Sequence, residues 1–235
     1  MEQYEFVSRS VYGPERAELE KILQKIRSYI SKNESQLDFD YELIGSGNKH
    51  LITQVVGGNR GYDFDFNLII DNPGKDQKWV GKYVHDSFLK AIRFAVKGTD
   101  YSEPEESTSV LTIKKVDTKH KRIVCSCDFA IVYYDDPKQQ YYLHFHKENG
   151  GFGFLKRSFK YDVDDVVKRI LDDNPGNWNL IRDEYLKLKN NDVQKKRSFV
   201  LYVEAVRNVY DQMFNKTPVQ KAIDAYSQLI NGGFY

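Results

Sequence analysis

The run Gly61-Tyr62-Asp63-Phe64-Asp65-Phe66-Asn67-Leu68-Ile69-Ile70 constrains this chain more than any other stretch. Apolar residues recur at every second position, which is the period of a β-strand whose successive side chains point to opposite faces. Phe64, Phe66, Leu68 and Ile70 are expected on one face against a core, with Asp63 and Asp65 together on the other. Any half-buried strand alternates in this way and can turn Asp to water, but Asp is a poor strand residue. Two like charges held that close repel unless a cation sits between them or one takes a proton. The pair therefore predicts a divalent-cation site. An EF-hand loop also begins D-x-D-x-N, yet it needs Gly sixth and Glu twelfth, where this chain has Leu68 and Gly74. A calcium loop is excluded.

With 235 residues the chain suits one large domain or two small ones. The apolar fraction is 40%, and aromatic residues at 14% supply large core-filling side chains. Lys and Arg (35) balance Asp and Glu (34) to a net charge of +1, so no global field argues for nucleic acid or membrane. No apolar run approaches the roughly 20 residues that span a bilayer, and Met1–Glu5 lacks the pattern of a signal peptide. A cytoplasmic protein is expected. Cys125 and Cys127 share one face of a strand pattern with no further Cys to complete a metal site, so they read as buried free thiols.

The hydrophobic pattern divides the chain. Residues 1–160 read as an α/β part. A helix is expected from Pro14 to about Asn33, with Leu19, Ile22, Leu23, Ile26 and Ile30 as its stripe, and a strand over Asp38–Ile44 ending in Gly45-Ser46-Gly47. A linker containing Gly57-Gly58 leads to the Asp63–Ile70 strand. A helix over about Trp79–Lys97 stops at Gly98. Runs Ser109–Val116, Arg122–Tyr134 and Gln140–His146 suit an antiparallel meander, and Gly150–Gly153 reads as a turn. Residues 161–235 read as helical, with segments over Val163–Leu171, Trp178–Leu188, Val193–Phe214 and Pro218–Ile230. The fold class is α+β: a mixed, mainly antiparallel sheet with flanking helices, then a C-terminal helical bundle.

Asp128 lies in Ile123–Tyr133, a run apolar on both faces apart from it and Ser126. That pattern marks a central, covered strand, where a lone carboxylate costs several kcal/mol unless it is paired or bound to metal. A salt bridge would satisfy it. Joining Asp63 and Asp65 at a metal explains it more economically. Three carboxylates can hold two divalent ions about 3.5–4 Å apart, the arrangement for in-line phosphoryl or nucleotidyl transfer. Magnesium prefers such oxygen ligands. Gly45-Ser46-Gly47 allows a phosphate to approach the backbone, though it lacks the P-loop spacing.

The order Leu43-Ile44-Gly45-Ser46, then Asp63-Phe64-Asp65, then Asp128 in a later strand resembles the DNA polymerase beta-type nucleotidyltransferase superfamily. It is most similar to the branch of cyclic GMP-AMP synthase-like and bacterial oligonucleotide cyclase enzymes. The motifs span about residues 40–135. The resemblance implies transfer of a nucleoside monophosphate from an NTP with Mg²⁺ or Mn²⁺, with Gly45 and Ser46 on the phosphates and Asp63, Asp65 and Asp128 on metal. Asp128 is the expected proton acceptor, and an NTP cleft is expected between the two halves. The acceptor is left open among a second nucleotide, an RNA end, a protein hydroxyl and a small alcohol, and the oligomeric state is unassigned.

Softer candidates surround this set. Lys196 and Ser198, within Lys195-Lys196-Arg197-Ser198, match the Lys and Ser that similar enzymes use on the triphosphate, but also read as a solvated basic helix end. Lys156 and Arg157 read either as cleft residues or as ordinary surface. His144 and His146 share a strand face but have no third zinc ligand at a suitable spacing. Asp162, Asp164 and Asp165 suit a helix N-terminus. Trp178 and Tyr185 read as core. The rival function is a non-catalytic nucleotide-binding or interaction module on the same fold, and a second rival is another two-metal enzyme.

Overall fold

The computed structural model describes residues 2–73, 77–136, 139–148, 150–157 and 163–215. The chain divides into two compact units, formed by the described residues of Glu2–Ser158 and of Phe159–Tyr235.

The first unit opens with β1 (Tyr4–Phe6) and the long helix α1 (Arg9–Asn33). The helix starts earlier than the pattern from Pro14 indicated. Pro14 sits in its second turn, where it removes one backbone bond. Tyr12 holds the added turn in place: its ring meets the edge of Phe64 at 6.4 Å and its hydroxyl bonds His50 Nδ1 at 2.8 Å. Then follow β2 (Phe39–Ile44), the single turn α2 (Gly45–Asn48), β3 (Thr53–Val55) and β4 (Tyr62–Ile70). The expected Gly-Ser-Gly turn is thus one turn of helix, and the glycine-bearing linker contains a strand, because β3 finds a partner in β1 far back in the chain.

Helix α3 (Gln77–Ala95) leads to β5 (Glu105–Glu106), β6 (Leu111–Asp117), β7 (Arg122–Asp136), β8 (Gln139–His146) and β9 (Gly151–Lys156). The main sheet runs β2-β4-β7-β6-β5, with β8 added on β7 and β9 on β8. All its pairs are antiparallel except β4–β7, which is parallel. Of the stretch read as a Gly150–Gly153 turn, only Gly150, with φ 67°, is a turn residue; residues 151–153 belong to β9. Its glycines face imidazoles across the ladder: Gly153 pairs with His144 and Gly151 with His146, and a Cβ on Gly153 would lie 2.9 Å from His146 Nε2. Large cross-strand partners fill the space that the glycines leave, so the segment pairs despite poor strand propensity.

One face of the sheet carries the core. Phe64, Phe66, Leu68 and Ile70 of β4, with Cys125, Cys127, Phe129 and Ile131 of β7, are buried with the apolar stripes of α1 and α3. Phe39 and Phe88 meet edge to face at 5.0 Å, tying β2 to α3. Both cysteines are free and buried.

The second unit contains α4 (Asp164–Asp173), a 3-10 turn (Pro175–Asn177), α5 (Trp178–Asn191), α6 (Ser198–Tyr210) and a π-helical turn (Asp211–Asn215). Asp164 and Asp165 lie in the first turn of α4. Ile170, Ile181, Tyr185, Leu201 and Val206 are buried, whereas Trp178 is half-buried. The helix read from Val193 begins only at Ser198. The Asp192 carboxylate accepts from the backbone N–H groups of Gln194 (3.0 Å) and Lys196 (2.5 Å), and Lys195 has φ 53°. An Asp that bonds its own following backbone competes with the helix, and Val193 is left 77% exposed. Asp162 and the segment Pro218–Ile230 lie outside the described residues. No helix among the described residues is long and apolar enough to cross a membrane.

Candidate active site

The face of the sheet opposite the core is acidic at one end. Asp63 and Asp65 project from β4, and the parallel register sets Asp65 beside Asp128 and Asp63 beside Ser126 on β7. One residue of slip would turn this whole set into the core, so burial of the other face holds the register. Asp63 is exposed, while Asp65 and Asp128 are half-buried. Burial, followed by the charges of Asp128 and Asp63, pushes the Asp65 carboxyl up to about 6. Burial also raises Asp128; the Thr112 hydroxyl and Lys114 work against that rise, and Asp63 adds to it.

Two hydroxyls that sequence reasoning did not assign meet these carboxylates. Ser126 Oγ donates to Asp63 Oδ1, and Thr112 Oγ1 donates to Asp128 Oδ1 at 2.6 Å. Ser126 could have been found, since it lies two residues before Asp128 on the same strand face. Thr112 could not, because only the β6–β7 register places it opposite Asp128. Further along the same face, Asn67 Nδ2 donates to Glu42 Oε1 (2.8 Å), Tyr134 donates to the same oxygen (3.1 Å), and Gln140 donates to Tyr134 (2.6 Å). This row ties β2, β4, β7 and β8 together behind the acids.

Gly45 and Ser46 lie just past the end of β2, where Ile44 pairs with Asp65. Gly45 has φ 62°, and a Cβ there would lie 2.8 Å from Asp65 Oδ2. Only glycine satisfies both the left-handed backbone and that approach. The structure thus brings Gly45 to Asp65, with Ser46, half-buried, as the next residue in α2. Lys196 and Ser198 belong to the second unit. Lys196 Nζ pairs with Glu204 at 2.7 Å, and Ser198 Oγ accepts from Lys189 at 3.3 Å. Lys156 ends β9, and the Arg157 guanidinium lies 5.3 Å from the Tyr142 ring centre. The rings of His144 and His146 are 5.3 Å apart, with His144 bonded to Ser109. Among the described residues, no three His, Cys, Asp or Glu groups converge as a ready-made cation cage. Asp63 and Asp128 each hold a hydroxyl through one oxygen, and Oδ2 of each makes no hydrogen bond among the described residues.

The sheet order, the helical turn after β2 and the paired acidic strands make up a mixed α+β fold that is shared with solved structures. The chain is similar in structure to the DncV cyclic AMP-GMP synthase of Vibrio cholerae, a prokaryotic cGAS homologue, with TM-score 0.60 and 10% identity over 86% of this chain and 68% of that one. It is also similar to CdnC of E. coli MS115-1, solved with ATP, with TM-score 0.52 and 17% identity over 90% and 67% of the two chains. At such identities the likeness is one of fold, and the chain spans about two thirds of each relative. No protein-family model matches the sequence, and no curated protein matches it.

Proposed function

We propose that this chain is a Mg²⁺- or Mn²⁺-dependent nucleotidyltransferase that moves a nucleoside monophosphate from an NTP to a hydroxyl and releases pyrophosphate. The observation that carries this reading is the register that puts Asp63, Asp65 and Asp128 on one sheet face with Asp65 beside Asp128. The donor set fits a hard divalent cation: three carboxylates, one pushed up to about 6 by burial and by its like-charged neighbours, form a site short of positive charge. Asp63, Asp65 and Asp128 are the residues that would hold it. When bound, such ions neutralise the triphosphate and lower the pKa of the attacking hydroxyl.

The chain's own residues supply the rest. The acceptor oxygen bonds to the α-phosphorus, the bond from that phosphorus to the α–β bridging oxygen breaks, and pyrophosphate leaves carrying the bridging oxygen. Asp128, raised by burial, takes the hydroxyl proton. The start of α2, with Gly45 and Ser46, faces the phosphates with backbone amides and a hydroxyl. Lys196 and Ser198 are assigned to the distal phosphates through the family resemblance. The near-neutral charge disfavours a long nucleic-acid acceptor, and the cyclic AMP-GMP synthase neighbour makes a second nucleotide the first acceptor to test.

The test is to incubate the protein with Mg²⁺ or Mn²⁺ and labelled NTPs, singly and in pairs, and to follow pyrophosphate and labelled product. Activity lost in the Asp63→Asn, Asp65→Asn protein supports the proposal. Tight NTP binding without turnover toward any acceptor would sink it and favour the binding-module reading.

A further inference from the structure

Among the described residues, three that are not glycine have a positive φ: His50 (54°), Lys121 (51°) and Lys195 (53°). His50 lies two residues past α2, the turn that carries Gly45 and Ser46. The Leu51 N–H donates back to the Ser46 carbonyl at 2.8 Å, the bond that closes a helix end when the residue before the donor is left-handed. Glycine is the usual residue there, because a Cβ strains that backbone. Leu51 itself is buried, which pins the donor end of the closing bond.

The side chain at this strained position is tied from behind. Tyr12 of α1 is 4% exposed, and its hydroxyl is hydrogen-bonded to His50 Nδ1 at 2.8 Å. A phenol both donates and accepts, so the bond holds whether the imidazole is neutral or protonated. The same Tyr12 ring meets the edge of Phe64 at 6.4 Å. Phe64 sits between Asp63 and Asp65 on β4, with its ring in the core. One side chain thus reaches both parts of the site. Its ring packs on the strand that bears two aspartates, and its hydroxyl holds the residue that ends the turn bearing Ser46. At the acidic face the same two parts meet where Gly45 lies against Asp65.

We propose that Tyr12 and His50 are positioning residues for the NTP phosphates: their hydrogen bond fixes α2, and with it Ser46, relative to Asp63 and Asp65. This role rests on the nucleotidyl-transfer reading above. Helix α2 has four residues, too few to keep its place by helical bonding alone. Both residues act through Ser46 and not on the α-phosphorus, so loss of their bond should weaken nucleotide binding more than it slows the chemical step.

The test pairs Tyr12→Phe, which keeps the ring on Phe64 and removes only the hydroxyl, with His50→Gly, which suits the left-handed backbone and removes the imidazole. In amide hydrogen exchange of the metal-free full chain, protection of Leu51 relative to Phe66 should fall about two- to tenfold in Tyr12→Phe, the range that one hydrogen bond supplies. With Mg²⁺ and the NTPs that the parent turns over, KM should rise by about the same factor in both variants at nearly unchanged kcat. The double variant should be no worse than either single one, because both break one bond. If His50 served only to end the helix, glycine there would leave KM at the parent's value. Unchanged Leu51 protection in Tyr12→Phe, a parental KM in His50→Gly, a loss confined to kcat, or summed effects in the double variant would each overturn the assignment. A parent without turnover would remove the proposed function instead, and Leu51 exchange in Tyr12→Phe would still decide whether the bond fixes α2.

Discussion

Asp65 on β4 stands directly beside Asp128 on the parallel strand β7, so two carboxylates share one row of the sheet. Burial and this neighbour raise the Asp65 carboxyl from 3.8 to about 6. The folded protein therefore keeps a proton between these values that the unfolded chain has released. Its contribution to stability is present below about pH 4 and is lost as pH rises through about 6, a change of about 3 kcal/mol at most. Metal-free protein should melt at lower temperature at pH 7.5 than at pH 5, and Asp65→Asn should reduce this fall. Calorimetry across the range checks it. A parent and variant with identical pH profiles would contradict the assignment.

Gly45 touches the same carboxylate from the other side. Gly45→Ala forces a side chain into a left-handed backbone and to within 2.8 Å of Asp65 Oδ2. A loss of about 1–3 kcal/mol is expected in urea unfolding, together with a drop in nucleotide turnover per folded molecule larger than that of Gly57→Ala. Gly57 serves as control because it shares the positive φ without the contact.

Thr112 positions Asp128 and holds its pKa down through the 2.6 Å hydrogen bond. Thr112→Val should shift the acidic limb of the pH–rate profile to higher pH and slow turnover near neutrality. Thr112→Ser, which keeps the hydroxyl, should restore it. A Thr112→Val profile superimposable on the parent's would remove Thr112 from the site.

Gly81 faces β9 from α3, and a Cβ there would lie 2.6 Å from the Phe152 carbonyl oxygen. Alanine is favoured over glycine in a helix by about 1 kcal/mol. Contact with a backbone oxygen outweighs this gain, so Gly81→Ala should be destabilising by about 1–3 kcal/mol in chemical denaturation. A stabilised variant would show that α3 and β9 are not packed this closely.

What was legible in the chain was local and periodic. The alternation over Tyr62–Ile70 indicated both the core face and the acidic face, because side-chain direction along a strand depends only on position. Asp128 stood out because a charge in an apolar run demands an explanation. Strand β9 and the β1–β3 pair were not legible: glycines in one and shortness in the other hide segments whose stability comes from partners distant in sequence. The stop before α6 was missed because apolar spacing says nothing of a side chain such as that of Asp192, which captures the backbone first.

The residue types and their faces were thus carried by the chain itself, down to the three acids. Their meeting was decided by pairing. Only the parallel β4–β7 register sets Asp65 beside Asp128, only the β6–β7 register brings Thr112 to it, and only the end of β2 lays Gly45 against Asp65. Register is a property of two strands packed on a shared core, and no single stretch of sequence contains it.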